Sequence, residues 1–202
     1  MSRAGAAPLA ARHADLTQRA ILDGAVDLLQ EGSLEDVTMR AVAARAGMSE
    51  RTVFRYFAMR DDLLEAMAGE IARRFDLPPD PGTVEELLAY PASLYARFDA
   101  TAALTRAALR SEYFDRFRST VAQTRWRAVQ EIVDRAGAAR PVRERRIAGA
   151  NIRYHLSASA WRYYRDYFGF PLDEAVECAR TAIAQSLESL GVRLSRGRRS
   201  RP

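Results

Sequence analysis

Arginine side chains are concentrated between Val37 and Arg60. That segment holds five arginines and one acid, Glu50, so its net charge is five minus one, or +4. The whole chain carries +5 from 31 basic residues against 26 acids, but five arginines follow Gly191, and the remaining 26 balance the acids. Because guanidinium groups donate hydrogen bonds to phosphate oxygens, the segment has the charge that contacts with a nucleic-acid backbone require.

Residues suited to catalysis or metal binding are few and scattered. The two histidines are His13 and His155, and Cys178 has no histidine near it in sequence. The chain lacks a glycine-rich phosphate loop and any cluster with the spacing of metal ligands. Cys178 is interpreted as a small buried residue, with a redox sensor as the alternative. We therefore expect no catalytic residue, metal or cofactor, and a helical enzyme is a remote alternative.

Apolar residues recur with helical periodicity along almost the whole chain, and no stretch shows the alternation typical of a strand. The first helix is expected to be capped by Asp15 or Thr17 and to end at Gly32. These patterns predict an all-α fold of roughly nine helices. Their expected bounds are residues 16–30, 39–46, 49–57, 60–75, 84–104, 107–114, 116–136, 142–167 and 173–190.

Three prolines and a glycine between Leu77 and Thr83 predict a junction between two domains. The expected order is a disordered lead at residues 1–14, a small helical domain at 15–77, a larger one at 83–192 and a disordered arginine-rich tail at 193–202. No apolar run approaches the roughly 20 residues of a membrane-spanning helix, and the lead lacks the apolar stretch of a signal peptide. A cytoplasmic protein without membrane contact is expected.

Two short helices joined by a glycine-containing turn form a helix-turn-helix pattern in the small domain. The first runs from Thr38 to Ala46, Gly47 lies in the turn, and the second runs from Ser49 to Tyr56. A second helix of this kind fits the major groove of double-stranded DNA. A helical hairpin with a solvated charged face is the alternative.

The side chains of this pattern suggest two kinds of DNA contact. Arg51 is suited to a guanine and Thr52 to a thymine methyl group, with Ser49 and Arg55 also facing outward. Glu50 is expected to accept from cytosine N4 or to face water. Four residues near helix ends are expected to contact phosphates. These are Thr38, Arg40, Tyr56 and Arg60.

The runs VTMRAVAARAGMS at 37–49, TVFRYF at 52–57 and RDDLL at 60–64 resemble the signature of the TetR (tetracycline-repressor-like) family. The resemblance spans about residues 17–67, and beyond Pro78 it is one of architecture and length. Phe54 stands where many members have a tyrosine that often contacts phosphate, so Phe54 is expected to serve packing only. Arg60 replaces the usual lysine and retains its charge.

The resemblance implies a homodimer built as a four-helix bundle from the last two helices, which places two recognition helices about 34–36 Å apart. Burial within one monomer is the alternative for the small and aliphatic residues of these helices. They are Leu156, Ser157, Ala158, Ser159, Ala160, Ala175, Ala179, Ala182, Ile183, Ser186 and Leu190.

The resemblance also implies an effector site in the larger domain, whose aromatic residues suit an apolar cavity. Ordinary core packing is the alternative for most of them. The candidate lining residues are Tyr95, Phe98, Phe117, Trp126, Asn151 and His155.

Together these features predict a sequence-specific transcriptional regulator that binds operator DNA. We expect a repressor that is released by a small, largely apolar ligand, with the helix at 60–75 linking the two domains. An activator or a ligand-independent regulator of the same family is the alternative. The arginine tail is expected to add non-specific DNA affinity or to have no function, and a membrane- or RNA-binding role is a third interpretation.

Overall fold

The computed structural model describes residues 9–110 and 115–194, and side chains at 11–110 and 123–194. Within these ranges the fold is all-helical, as predicted, with ten α-helices and no strand. They are α1 Leu9–Glu31, α2 Met39–Arg45, α3 Glu50–Tyr56, α4 Arg60–Phe75, α5 Val84–Ala100, α6 Ala102–Arg110, α7 Asp115–Ala136, α8 Val142–His155, α9 Ala158–Arg162 and α10 Leu172–Ser189. None of these helices is both long and apolar enough to span a bilayer.

The described residues divide into two compact units, which we call the head unit and the C-terminal unit. The head unit comprises residues 9–75 with 106–110, and the C-terminal unit comprises residues 76–105 and 115–194. The division falls at Asp76, the one described residue other than glycine with a positive φ, 41°.

The core of the head unit is built by one apolar stripe from each of its first four helices. On α1, Ile21, Ala25 and Leu29 are buried at intervals of four residues, which places them on one face. Leu63 and Met67 of α4 pack against that face, and α1 also packs on α2. Each fully buried aliphatic side chain stabilises the unit by about 1.5–3 kcal/mol.

Helix α1 begins at Leu9, whereas the sequence pattern predicts a start near residue 16. Neither predicted cap acts as one, because Thr17 Oγ1 donates to the His13 carbonyl oxygen at 2.8 Å and Asp15 pairs with Arg19 at 2.9 Å. Residues 9–14 of the expected disordered lead are therefore helical, since alanine-rich sequence favours continuation. Residues 1–8 lie outside the described part of the chain.

Two predicted helices are interrupted in the structure. The segment predicted as one helix at 84–104 breaks at Thr101, whose amide N and Oγ1 both donate to the Arg97 carbonyl oxygen. The segment predicted at 142–167 breaks at Leu156, and Ser157 starts α9 by accepting from the Ala160 amide at 3.1 Å. Side-chain hydrogen bonds at these positions compete with continued helix.

The C-terminal unit is packed around Trp161, which is fully buried. Its indole lies against Phe98, with ring centroids 6.0 Å apart, and Phe98 lies 6.3 Å from Tyr95. Helix α10 packs on α5 and α8, and α7 packs on α8. Gly149 allows the approach of α7 to α8, because a Cβ at this position would lie 2.6 Å from Gln130 Oε1.

The proline-rich segment between Leu77 and Thr83 is held against the C-terminal unit by three side chains. The Tyr90 hydroxyl donates to the Pro78 carbonyl oxygen at 2.8 Å, and Arg125 Nε donates to Asp80 at 2.7 Å. Arg135 donates to the Gly82 carbonyl oxygen at 2.7 Å. Burial raises the pKa of Tyr90 to about 12, so this hydroxyl stays protonated and remains a donor at neutral pH. The segment predicted as a junction is therefore part of the C-terminal unit.

Candidate nucleic-acid interface

Hydrogen bonds at both helix starts define the turn between α2 and α3. Thr38 caps α2 by accepting from the Ala41 amide at 3.1 Å, and Ser49 caps α3 by accepting from the Thr52 amide at 3.2 Å. Gly47 has φ +65°, and a Cβ there would meet no atom within 4 Å. Glycine is thus favoured at Gly47 by backbone conformation and not by lack of space. The arrangement is a helix-turn-helix.

Helix α3 is held on the head unit by an inward stripe four residues apart. Val53 is fully buried and Phe57, just after the helix, is 4% exposed. Val42 and Ala43 of α2 are buried with them. This contact fixes which face of the short α3 points away from the protein.

The outward face of α3 carries Glu50, Arg51, Phe54 and Arg55, all of which are exposed. Phe54 is 48% exposed, so packing within the head unit covers only about half of it. Its neighbour Val53 occupies the inward position, and one residue further along a helix lies about 100° around the axis. The sequence could have indicated this position, because the spacing from Val53 to Phe57 already accounts for the inward stripe.

Two arginines of the positively charged segment are engaged within the head unit. Arg45 forms a bidentate pair with Glu31, with Nη1 to Oε1 at 2.8 Å, and this hydrogen bond lowers the pKa of the Glu31 carboxyl. Arg60 donates from Nε to the Val37 carbonyl oxygen at 2.8 Å and from Nη2 to the Leu34 carbonyl oxygen at 2.6 Å. These long-range contacts have no signal in the local sequence.

Three arginines of that segment remain available to a ligand. Arg40, Arg51 and Arg55 are exposed and have no ion pair among the described residues. Arg55 lies over the ring of the half-buried Tyr56, with its guanidinium carbon 5.3 Å from the ring centroid. Set against Glu50, these residues leave α2 and α3 with an outward positive face.

The hydroxyl groups at the start of α3 are partly used by the protein itself. Ser49 Oγ and Thr52 Oγ1 lie 2.9 Å apart and share a hydrogen bond, in addition to the capping bond. Thr52 is half-buried, whereas Ser49 and Thr38 are exposed. Each hydroxyl can still form a further hydrogen bond, since a hydroxyl group offers one donor and two acceptor positions.

The candidate effector residues of the C-terminal unit do not line one cavity in the part of the chain that is described. Tyr95 and Phe98 lie in the core, and the Tyr95 hydroxyl donates to the His155 carbonyl oxygen at 2.7 Å. Asn151 is exposed, and His155 is half-buried with Nδ1 3.0 Å from the Tyr164 hydroxyl. The side chain of Phe117 lies outside the described residues.

Trp126, the remaining candidate, lines an open groove of about 730 Å³ between α7 and α8. Apolar groups of Val142, Ile147 and Ala150 contribute to the groove, as do Arg143 and Arg146 of α8. None of these five residues is aromatic, so the aromatic content of the sequence does not indicate them.

Cys178 is half-buried on α10, at the margin of a second groove. Burial and the nearby carboxylates of Glu174 and Glu177 raise the pKa of its thiol. A reactive cysteine needs the opposite shift, because the thiolate is the reactive form. This environment favours the interpretation of Cys178 as a packing residue.

Residues 21–67 match the sequence model of the family described as bacterial regulatory proteins, tetR family. No curated protein matches the chain. A TetR-like transcriptional regulator from Rhodococcus sp. RHA1 is similar in structure, with TM-score 0.64 and 17% identity over 85% of this chain and 96% of that one. A TetR-family regulator from Streptomyces coelicolor has TM-score 0.61 and 20% identity, covering 88% and 86%.

These structural likenesses show a shared fold across both units. The family match covers the segment that forms the helix-turn-helix, including both helix caps and the outward arginines. The head unit therefore contains a helix-turn-helix segment that matches the tetR family of bacterial regulatory proteins, and the chain shares the fold of solved TetR-like transcriptional regulators.

Proposed function

We propose that this protein is a repressor that binds operator DNA as a homodimer and leaves it when a small, largely apolar ligand binds the C-terminal unit. The observation that carries the DNA-binding part is the outward face of α3, where Arg51 and Arg55 are exposed and unpaired among the described residues. Both can reach base edges when α3 enters a major groove about 12 Å wide.

The DNA contacts fall into two proposed groups. Arg51, Arg55 and Thr52 lie on α3 and are proposed to reach base edges. Thr38, Arg40, Ser49 and Tyr56 are proposed to contact phosphates, because helix ends lie nearest the DNA backbone in this docking mode. Arg60 was grouped with the phosphate contacts on sequence alone, but two of its donors are used by backbone carbonyls. We propose that Arg60 supports the interface from within the head unit.

Substitution Arg51→Ala is expected to weaken binding by about 1–3 kcal/mol and to relax preference at a single base position, because a bidentate arginine contact distinguishes guanine from other bases. Selection of bound sequences from random DNA, with wild type and variant in parallel, measures this.

The matched variant is Arg40→Ala, because Arg40 is also exposed but lies on α2. It should weaken all sequences alike and reduce the salt dependence by about one phosphate contact. Identical selection profiles for the two variants would show that the division into base and phosphate contacts is wrong.

A homodimer through the last two helices needs a surface other than the one expected from sequence. Six residues predicted for the interface are buried within their own chain. They are Leu156, Ala160, Ala175, Ala179, Ile183 and Leu190. Helix α10 uses this face to pack on α5 and α8, so the predicted interface is corrected for these residues.

The segment between α9 and α10 carries the exposed aromatic groups that support dimerisation. Tyr163, Tyr167 and Phe168 are each 50–60% exposed. Beside them a groove of about 610 Å³ is bordered by Tyr164, Phe168 and residues of α10 that include Thr181 and Ala182. Exposed aromatic groups grouped in this way are typical of a protein–protein contact.

The double substitution Tyr167→Asp with Phe168→Asp is expected to convert a dimer to a monomer, because two carboxylates in an apolar contact would lose their hydration. Light scattering after size-exclusion chromatography measures the mass. Val142→Asp, at a residue 62% exposed on α8, is the control and should stay dimeric. A wild-type monomer at micromolar concentration contradicts the dimer.

The groove beside Trp126 supports the ligand part of the proposal, since its volume lies within the range of small-molecule sites, about 300–1,000 Å³. Release requires the ligand to prefer the conformer that does not bind DNA. Disrupting the gene should raise transcription beside the selected operator if the protein represses. A fall in transcription would instead support an activator. Equal ligand affinity of the free and the DNA-bound protein would exclude release of the DNA by the ligand.

A further inference from the structure

Phe54 is a large apolar side chain in an unusual position. It is 48% exposed at the middle of the outward face of α3, one turn from Arg51, which is three residues earlier. The core positions of this helix are already filled by Val53 and Phe57, so packing of the head unit does not account for the exposed half of Phe54. A phenylalanine side chain also has no donor or acceptor, so it cannot hydrogen-bond to phosphate.

The major groove offers one apolar group that such a side chain can recognise. Each base edge presents hydrogen-bond donors or acceptors, and only thymine adds a methyl group, at C5. Contact of a phenylalanine with that methyl group removes apolar surface of both partners from water. Arg51 and Phe54 are separated by about 4.5 Å along the helix axis, which lies between one and two base-pair steps of about 3.4 Å each.

Thr52 is less suited to this contact than its residue type suggests. Its side chain is half-buried and its hydroxyl is bonded to Ser49 Oγ at 2.9 Å, which ties it to the capped start of α3. Phe54 is more exposed and carries a larger apolar surface. The structure therefore favours Phe54 over Thr52 as the residue of this helix that contacts the thymine methyl group.

We propose that Phe54 is a specificity-determining residue that recognises thymine through its 5-methyl group, within one or two base pairs of the base bound by Arg51. This inference rests on the proposed entry of α3 into the major groove. It assigns apolar readout to a position that cannot make the hydrogen bond of a tyrosine hydroxyl.

The test replaces thymine by deoxyuridine in an operator selected from random DNA by the full-length protein. This change removes the methyl group and leaves base pairing intact. For the wild type, deoxyuridine at the contacted position should raise Kd about fourfold, the effect of one methyl group. For Phe54→Ala, Kd on the thymine operator should already be higher, and deoxyuridine should change it no further.

Thr52→Ser tests the other candidate for the thymine contact, because it removes one methyl group and retains the hydroxyl that pairs with Ser49. It should keep the full fourfold response to deoxyuridine. Thermal unfolding checks that Phe54→Ala is folded, as expected for an exposed position.

Several results would overturn the inference. These are a wild type indifferent to deoxyuridine, an equal response in wild type and Phe54→Ala, or a response lost in Thr52→Ser instead. Failure of the wild type to enrich any sequence is a different outcome, since it rejects the proposed operator binding together with the role of Phe54.

Discussion

Replacing Arg60 with alanine is expected to lower the free energy of unfolding by roughly 2–4 kcal/mol. The side chain donates to the carbonyl oxygens of Leu34 and Val37, and a hydrogen bond of a charged donor contributes about 1.5–3 kcal/mol. The expected loss is smaller than the sum of two such bonds, because the site is only part-buried and water can replace part of each bond. Both carbonyls lie just before Thr38, the cap of α2, so the loss also loosens the start of the helix-turn-helix. Urea unfolding followed by circular dichroism measures the change.

Arg60→Lys separates this internal role from a phosphate contact. A single ammonium group has no planar fork, so it should restore only part of the stability, although it retains the charge. For the folded protein, neither variant should alter the salt dependence of DNA binding, whereas loss of a phosphate contact lowers the slope by about 0.9. Wild-type stability combined with a reduced slope in Arg60→Ala would show that Arg60 binds phosphate after all.

Replacing Trp161 with alanine should destabilise the C-terminal unit by about 3–5 kcal/mol, the range for removal of a buried aromatic side chain. The residue is fully buried and lies against Phe98, and the surrounding core also includes Tyr95. The loss combines the transfer free energy of the indole with the cavity left behind. Denaturant unfolding, monitored by the fluorescence of Trp126, reports the change within the same unit.

Ile147→Ala is the control for this prediction, since Ile147 is 47% exposed on α8 and should change stability by no more than about 0.5 kcal/mol. The cavity left by Trp161→Ala is lined by apolar groups, so added indole should recover part of the stability. Equal, small losses in both variants would mean that the unit does not depend on the core around Trp161.

The helices of the head unit illustrate how far local sequence suffices. Helix α4 has the bounds predicted for it, Arg60–Phe75, and α2 and α3 begin within one residue of their predicted starts, after the caps Thr38 and Ser49. Capping and helix-start patterns involve residues only three or four positions apart, so they can be recognised in the sequence alone. The break at Leu156 was missed because Ser157 reads equally well as an interior residue of a long helix and as a cap.

The role of each arginine cannot be predicted from the residues next to it in the sequence. A charge count treats Arg40, Arg45, Arg51, Arg55 and Arg60 alike, and it points to the segment that forms the helix-turn-helix. Arg45, however, meets Glu31 from fourteen positions earlier, and Arg60 meets backbone carbonyls 23 and 26 positions earlier. Such partners exist only after the chain has folded, so the structure alone separates internal contacts from outward ones.

The sequence by itself therefore determined the helical class, the helix-turn-helix and the resemblance of that segment to the TetR family, because periodicity, caps and a positive-φ glycine act over a few residues. Only the tertiary structure decided that Phe54 faces outward, that Arg60 is held by the Leu34–Val37 loop, and that α10 buries its aliphatic face within its own chain. The physical reason is that exposure and pairing depend on which distant elements cover a side chain.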